Sequence, residues 1–140
     1  MPTVFTQIIE GNLPGTFVWK DDHAVAFLSI NPLNTGHVLV VPRAEVDHWL
    51  DLSPDLAQHL MSVGHAIGKA QQRAFNPGRV GMVIAGFEVP HCHVHVVPMD
   101  GMHHLDFATA ATSFDPDELE RAAQSIRSAL RDLGYDEVSE

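Results

Sequence analysis

The chain of 140 residues, 45% of them hydrophobic, is long enough to bury one sizeable core and too short for two ordinary domains. Its 18 acidic residues against 8 basic ones give a formal charge of −10, which argues against broad attachment to nucleic acid or to an anionic membrane, so an anionic ligand has to be held locally. A single cysteine, Cys92, excludes an intramolecular disulfide framework and a cysteine-rich zinc module, and the lack of a basic, apolar leader or of roughly 18 consecutive apolar residues leads us to expect a soluble, unexported, cytoplasmic protein.

Residues Thr3 to Glu10 read as a short opening helix with Phe5, Ile8 and Ile9 inward, stopped by Gly11, Asn12 and Pro14. Two strands rich in β-branched and aromatic residues follow, Thr16 to Lys20 and Ala24 to Ile30, around a hairpin turn at Lys20-Asp21-Asp22-His23. The turn formers of Asn31 to Gly36 make a loop that leads into a third strand, His37 to Val41, closed by Pro42. Ser53-Pro54-Asp55 supplies an N-cap, an N1 proline and a first-turn acid, and Leu56, Leu60, Val63 and Ile67 continue at helical spacing to about Phe75. Gly64 and Gly68 on this helix are either tolerated or allow close approach of another element, a partner subunit included. After Asn76-Pro77-Gly78 come strands Val80 to Ala85 and His91 to Val97, separated by Gly86-Phe87-Glu88-Val89-Pro90. A last helix opens with Phe114 stapled to Leu119 and Asp115 paired with Glu118 around Pro116, and ends near Gly134.

Ten histidines stand out in so acidic a chain, and not one Lys or Arg occurs between Val80 and Glu120. In a regular strand His91, His93 and His95 project to one side, with Cys92, Val94 and Val96 on the other. A lone histidine is most often an ordinary core or surface residue, but grouping three inside apolar flanks demands polar partners that Val or Thr would not need. Two chemistries suit the group. Alternate imidazoles can hold a divalent metal, or one can act as a nucleophile while its neighbours fix its tautomer and donate to developing phosphate charge.

The segment His91-Cys92-His93-Val94-His95-Val96-Val97 resembles the His-φ-His-φ-His-φ-φ signature of the histidine triad (HIT) family. The resemblance extends upstream through Ile8-Ile9-Glu10-Gly11-Asn12-Leu13-Pro14, Asp21-Asp22, Val25-Ala26-Phe27, Asn31-Pro32 and Gly36 to Pro42. It implies an α+β fold with an antiparallel sheet of about five strands, a long packing helix and a C-terminal helix. It divides the chain into a HIT domain, 1–105, and a C-terminal extension, 106–140, packed on it. It also implies a homodimer that binds a purine nucleotide and hydrolyses a nucleoside phosphoramidate or dinucleoside polyphosphate at the α-phosphorus, with no cofactor and no metal. By position, His93 is the nucleophile, His95 contacts the phosphate and leaving group, and His91 and His37 support the site. His95 stands where the family's transferase branch has Gln, which favours hydrolysis. Phe5, Ile8, Leu13, Phe27, Leu28, Ser29 and Ile30 match the positions around base and ribose, and Glu88 and Val89 match the segment beside the phosphate.

Four departures accompany the match. Ser29 replaces an Asp that grips the ribose hydroxyls in many relatives. Ile84 to Glu88 is shorter than the usual glycine-rich loop and lacks its amides. Thr3, Thr6 and Glu45 stand where zinc-binding members have Cys, Cys and His, and Met99 replaces a basic residue. A nucleotide-binding module with little catalysis, and a metal-binding protein using His91, His93 and His95, are the competing expectations. Cys92 is expected to be a buried residue turned away from the imidazoles.

Overall fold

The computed structural model describes residues 2–140. Strands β1 (Phe17–Lys20), β2 (Ala24–Leu28), β3 (Val38–Pro42), β4 (Arg79–Val83) and β5 (Val94–Met99) form one antiparallel sheet in the order β1-β2-β3-β5-β4. Helix α1 (Val4–Ile9) precedes it, α2 (Pro54–Phe75) links β3 to β4, and α3 (Pro116–Asp132) closes the chain. This is the α+β architecture expected from the sequence.

Every residue of β2 and β3 is buried, because the sheet is covered on both faces. Ala24, Ala26, Leu28, Val38, Val40, Val94 and Val96 pack with Leu60, Val63, Ile67, Ile126 and Leu130 of α2 and α3. Val25, Phe27, Leu39 and Val41 turn the other way and pack with Phe5 of α1. The register sets Leu39 opposite His95 and Val38 opposite Val96, so His95 lies on the α1 side. Cys92 is buried in the α2 and α3 cluster, as expected of it.

Several boundaries shift. β5 begins at Val94 instead of His91, because the preceding backbone is held by loop contacts: Cys92 N donates to Val46 O at 2.7 Å and His91 N to Val89 O at 2.8 Å. Ile30 lies beyond β2 and is exposed. Short 3-10 turns at Trp49–Asp51, Met102–Leu105 and Phe107–Thr109 have no counterpart in the sequence expectations. The two helix glycines differ: a Cβ on Gly64 would lie 2.6 Å from Met82 Cε and displace that flexible side chain of β4, whereas one on Gly68 would make ordinary contact with Val80 at 3.5 Å, so Gly68 is simply tolerated.

The two edges of the sheet differ. The tail runs along β1, with Lys20 N donating to Glu137 O at 2.9 Å and Ser139 N to Val18 O at 3.1 Å. Buried Arg127 of α3 secures this seam by donating from Nε to Phe17 O and Ser139 O, both at 2.9 Å, while Nη1 pairs with Glu120 at 2.6 Å. Among the described residues nothing pairs with the outer edge of β4, and Met82, Ile84 and nearby Met61 of α2 are exposed. No described helix is long and apolar enough to cross a membrane.

Candidate active site

The site is assembled where the turn before β3 meets β5. Gly36 takes φ +87° with the Phe75 ring against it, a conformation and a clearance that a side chain would not permit. Gln71 of α2 fastens this turn to β5 by donating from Nε2 to Gly36 O at 2.8 Å and Val96 O at 2.9 Å. His37 and His95 are thereby brought together, with His37 Nε2 2.9 Å from His95 Nδ1.

The direction of each histidine bond follows from its partners. Leu33 N–H can only donate, so His37 Nδ1 accepts from it at 3.0 Å, and His37 Nε2 must carry the hydrogen that it donates to His95 Nδ1. His95 therefore has its own hydrogen on Nε2. His93 Nδ1 faces the His91 carbonyl at 2.8 Å and must donate to it, which leaves the His93 Nε2 lone pair uncommitted. The site thus presents one imidazole acceptor beside one imidazole donor, on rings whose centroids are 4.9 Å apart.

Burial pushes His37 down from its ordinary 6.5 to about 3, and charge on His95 and His93 would push it the same way. Burial, then the neighbouring His93, takes His95 down to about 4. His93 is also lowered by burial, with its bond to the His91 carbonyl and the Glu88 carboxylate pulling the other way. All three rings are neutral near neutral pH.

These rings open onto a cavity of about 380 Å³ whose lining includes His37, His93, His95, Phe5, Ile8, Phe27, Leu28, Ser29, Ile30, Glu88 and Val89. Two of the candidate residues do not line this cavity. Leu13 lies outside this lining and is 37% exposed, because Asn12 N and Leu13 N both donate to Gln7 O and fold the segment after α1 back on that helix. His91 is outside it too, fully buried, with Nε2 donating to Pro42 O at 2.7 Å and Nδ1 bound to Thr3 Oγ1 at 2.8 Å. The strict alternation that would put three imidazoles on one surface fails because His91 and His93 precede β5.

The positions of the family's zinc ligands are also occupied by a closed set of hydrogen bonds. Thr3, Thr6, Glu45 and His91 meet there, but Thr3 and Thr6 offer neutral hydroxyls where zinc takes thiolates, and His91 Nδ1 already accepts from Thr3. These residues do not fit a structural zinc ion.

The model of the family described as HIT domain matches residues 10–102, which take in β1 through β5 and the three histidines. The chain belongs to the HIT family. An uncharacterised HIT-like protein of Methanocaldococcus jannaschii is 36% identical over 103 residues, 68% of this chain and 77% of that one. An adenosine 5'-monophosphoramidase of Schizosaccharomyces pombe is 27% identical over 137 residues, covering 94% and 100%. Among solved structures, a HIT-like protein involved in cell-cycle regulation from Bartonella henselae superposes with a TM-score of 0.81 at 26% identity, over 91% of this chain and 95% of that one.

In this HIT protein the family match stops short of the cavity's roof. Phe107, Ala110, Phe114 and Leu119 also line the cavity, and the Phe107 ring stands edge-on to His95 at 5.0 Å. The roof is tied down by Asn31 Nδ2 donating to Ala111 O at 3.0 Å and Ala111 N donating to Pro32 O at 3.2 Å. In the sequence Phe114 reads only as a staple to Leu119. Gln71 was missed because a glutamine inside an amphipathic helix carries no signal of the carbonyls it will reach.

Proposed function

We propose that this HIT protein hydrolyses a nucleoside 5'-phosphoramidate through a covalent nucleotidyl intermediate on His93. The observation that carries the proposal is the pair of opposed nitrogens: a bare Nε2 lone pair on His93 beside an Nε2–H on His95, each fixed by the bond at its other nitrogen. The S. pombe relative, a phosphoramidase, supports the same reaction class.

His93 Nε2 attacks the α-phosphorus as the bond from phosphorus to the protonated substrate nitrogen breaks, and the amine departs with the bonding pair. His95 is neutral at the working pH, so it serves as a hydrogen-bond donor to a phosphoryl oxygen, a preorganised dipole where charge develops. The nucleotidylated His93 ring is cationic and stands in the field of Glu88, whose charge favours that state. Water then attacks phosphorus, its proton passes to solvent, and the His93 lone pair is restored.

Substrate class follows from the walls. The lining is mainly apolar and contains neither Lys nor Arg, so it offers no counter-charge for a polyphosphate chain, whereas a single phosphate with an amine leaving group adds little negative charge. Phe5, Ile8, Phe27 and Leu28 enclose the base, and Ser29 offers a hydroxyl to the ribose. Assembly is proposed as a homodimer through the open β4 edge, where Met61, Met82 and Ile84 lie exposed.

The test compares wild type with His93→Ala on an adenosine 5'-phosphoramidate and a diadenosine polyphosphate, with chelator present and quenched samples weighed by mass spectrometry. Wild type should form an AMP adduct on His93 and prefer the phosphoramidate, while His93→Ala should lose turnover by at least about three orders of magnitude. Turnover that survives in His93→Ala refutes the nucleophile. Nucleotide binding without turnover in wild type identifies a binding module instead.

A further inference from the structure

Outside the cavity lining, behind the proposed nucleophile, polar side chains from three distant parts of the chain meet in one network. Glu45 Oε1 accepts from Thr3 N and from Thr6 Oγ1, each at 2.8 Å. Thr3 Oγ1 accepts from Thr6 N at 3.1 Å and lies 2.8 Å from His91 Nδ1. Since His91 Nε2 spends its hydrogen on Pro42 O, Nδ1 can only accept, and the Thr3 hydroxyl is the donor. His91 is fully buried, so no water can replace a lost partner.

The far end of this network reaches the reacting group. With both ring nitrogens engaged and its backbone N donating to Val89 O at 2.8 Å, His91 has its carbonyl held in one direction. That carbonyl receives His93 Nδ1–H and thereby leaves Nε2 free to attack. Phe5, on the helix that Thr3 caps, packs edge-on against His91 at 5.9 Å and His93 at 4.9 Å, closing the unit from the other side.

We propose that Thr3 is a positioning residue for His93: its hydroxyl, oriented by Glu45 and Thr6, locks the His91 ring and so aims the carbonyl that sets the tautomer of the nucleophile. The proposal rests on His93 being the nucleophile. Removing the hydroxyl leaves Nδ1 of His91 with only the long 3.5 Å approach of Thr6 Oγ1 in a buried place, and the shift of the whole residue that shortens this contact moves its carbonyl relative to the His93 N–H.

The experiment measures kcat and KM for an adenosine 5'-phosphoramidate, together with imidazole 15N NMR spectra, in wild type, Thr3→Val, Thr3→Ser, Glu45→Ala and His93→Ala. Thr3→Val should lose roughly tenfold in kcat with KM held, and its His93 signals should move from a single Nδ1–H form toward a mixture. Thr3→Ser, which keeps the donor, should restore both. Glu45→Ala alters an exposed side chain, so folding is not at stake, and it should lower kcat in the same direction by a smaller factor. Wild-type kcat and unchanged His93 signals in Thr3→Val and Glu45→Ala, or a loss confined to KM, overturn the proposal and leave Thr3 as a helix cap. If His93→Ala is inactive while Thr3→Val behaves as wild type, only the role of Thr3 falls. If His93→Ala turns over normally, the nucleophile is wrong and the role of Thr3 falls with it.

Discussion

His37 and His95 show how burial converts a titratable side chain into a fixed dipole. In the unfolded chain each takes up a proton near 6.5, whereas the folded protein resists protonation down to about 3 at His37 and about 4 at His95. Between those limits the unfolded state binds more protons, so the stabilising contribution is complete above 6.5 and is lost as pH falls through the folded values. Urea midpoints should therefore drop between neutral pH and about pH 5, and His37→Gln should shrink that drop; parallel pH dependences in the two proteins would show that His37 is not held neutral. The histidines themselves were legible in the sequence, and His37, His93 and His95 do meet. The place of His91 was not legible, because Thr3 and Pro42, which hold its ring, become neighbours only when α1 and β3 close around it.

Among the elements, strands and long helices were legible because burial imposes a period on them. β2 and β3 are unbroken apolar runs, as strands covered on both faces must be, and α2 begins at the Ser53 cap with Ser53 Oγ accepting from Leu56 N at 3.2 Å. The cavity roof lacks such a pattern, since its short turns are held by single bonds to Asn31 and Pro32. Connections matter as much as the strands they join. Gly36→Ala should destabilise the fold by about 1–3 kcal/mol through its left-handed backbone alone, with a further cost from displacing Phe75. It should also lower kcat, since His37 follows directly. A denaturation midpoint and a kcat that both match wild type would show that the turn tolerates a side chain.

For the molecule as a whole, the uneven finish of the sheet is the dominant feature. β1 is sealed by the tail and by buried Arg127, while Met82 of β4 and Ile84 just after it are exposed, as is Met61 of α2. Wild type should scatter light as two chains and Met82→Lys as one, the lysine placing an unpaired charge in the proposed contact. Wild-type scattering by a single chain would refute the dimer. The homodimer was expected from family resemblance, and no periodicity in the sequence distinguishes an edge strand left bare from one covered by its own tail.

That asymmetry also governs where growth ends. A sheet with two bare margins can recruit copies without limit, as fibrils do, but this one has a single margin to offer. Joining two copies there consumes both margins and yields one continuous sheet of ten strands, five from each chain, with sealed borders on either side. In the proposed dimer, the pairing of Glu137 and Ser139 with β1 would leave no margin free to add a further copy.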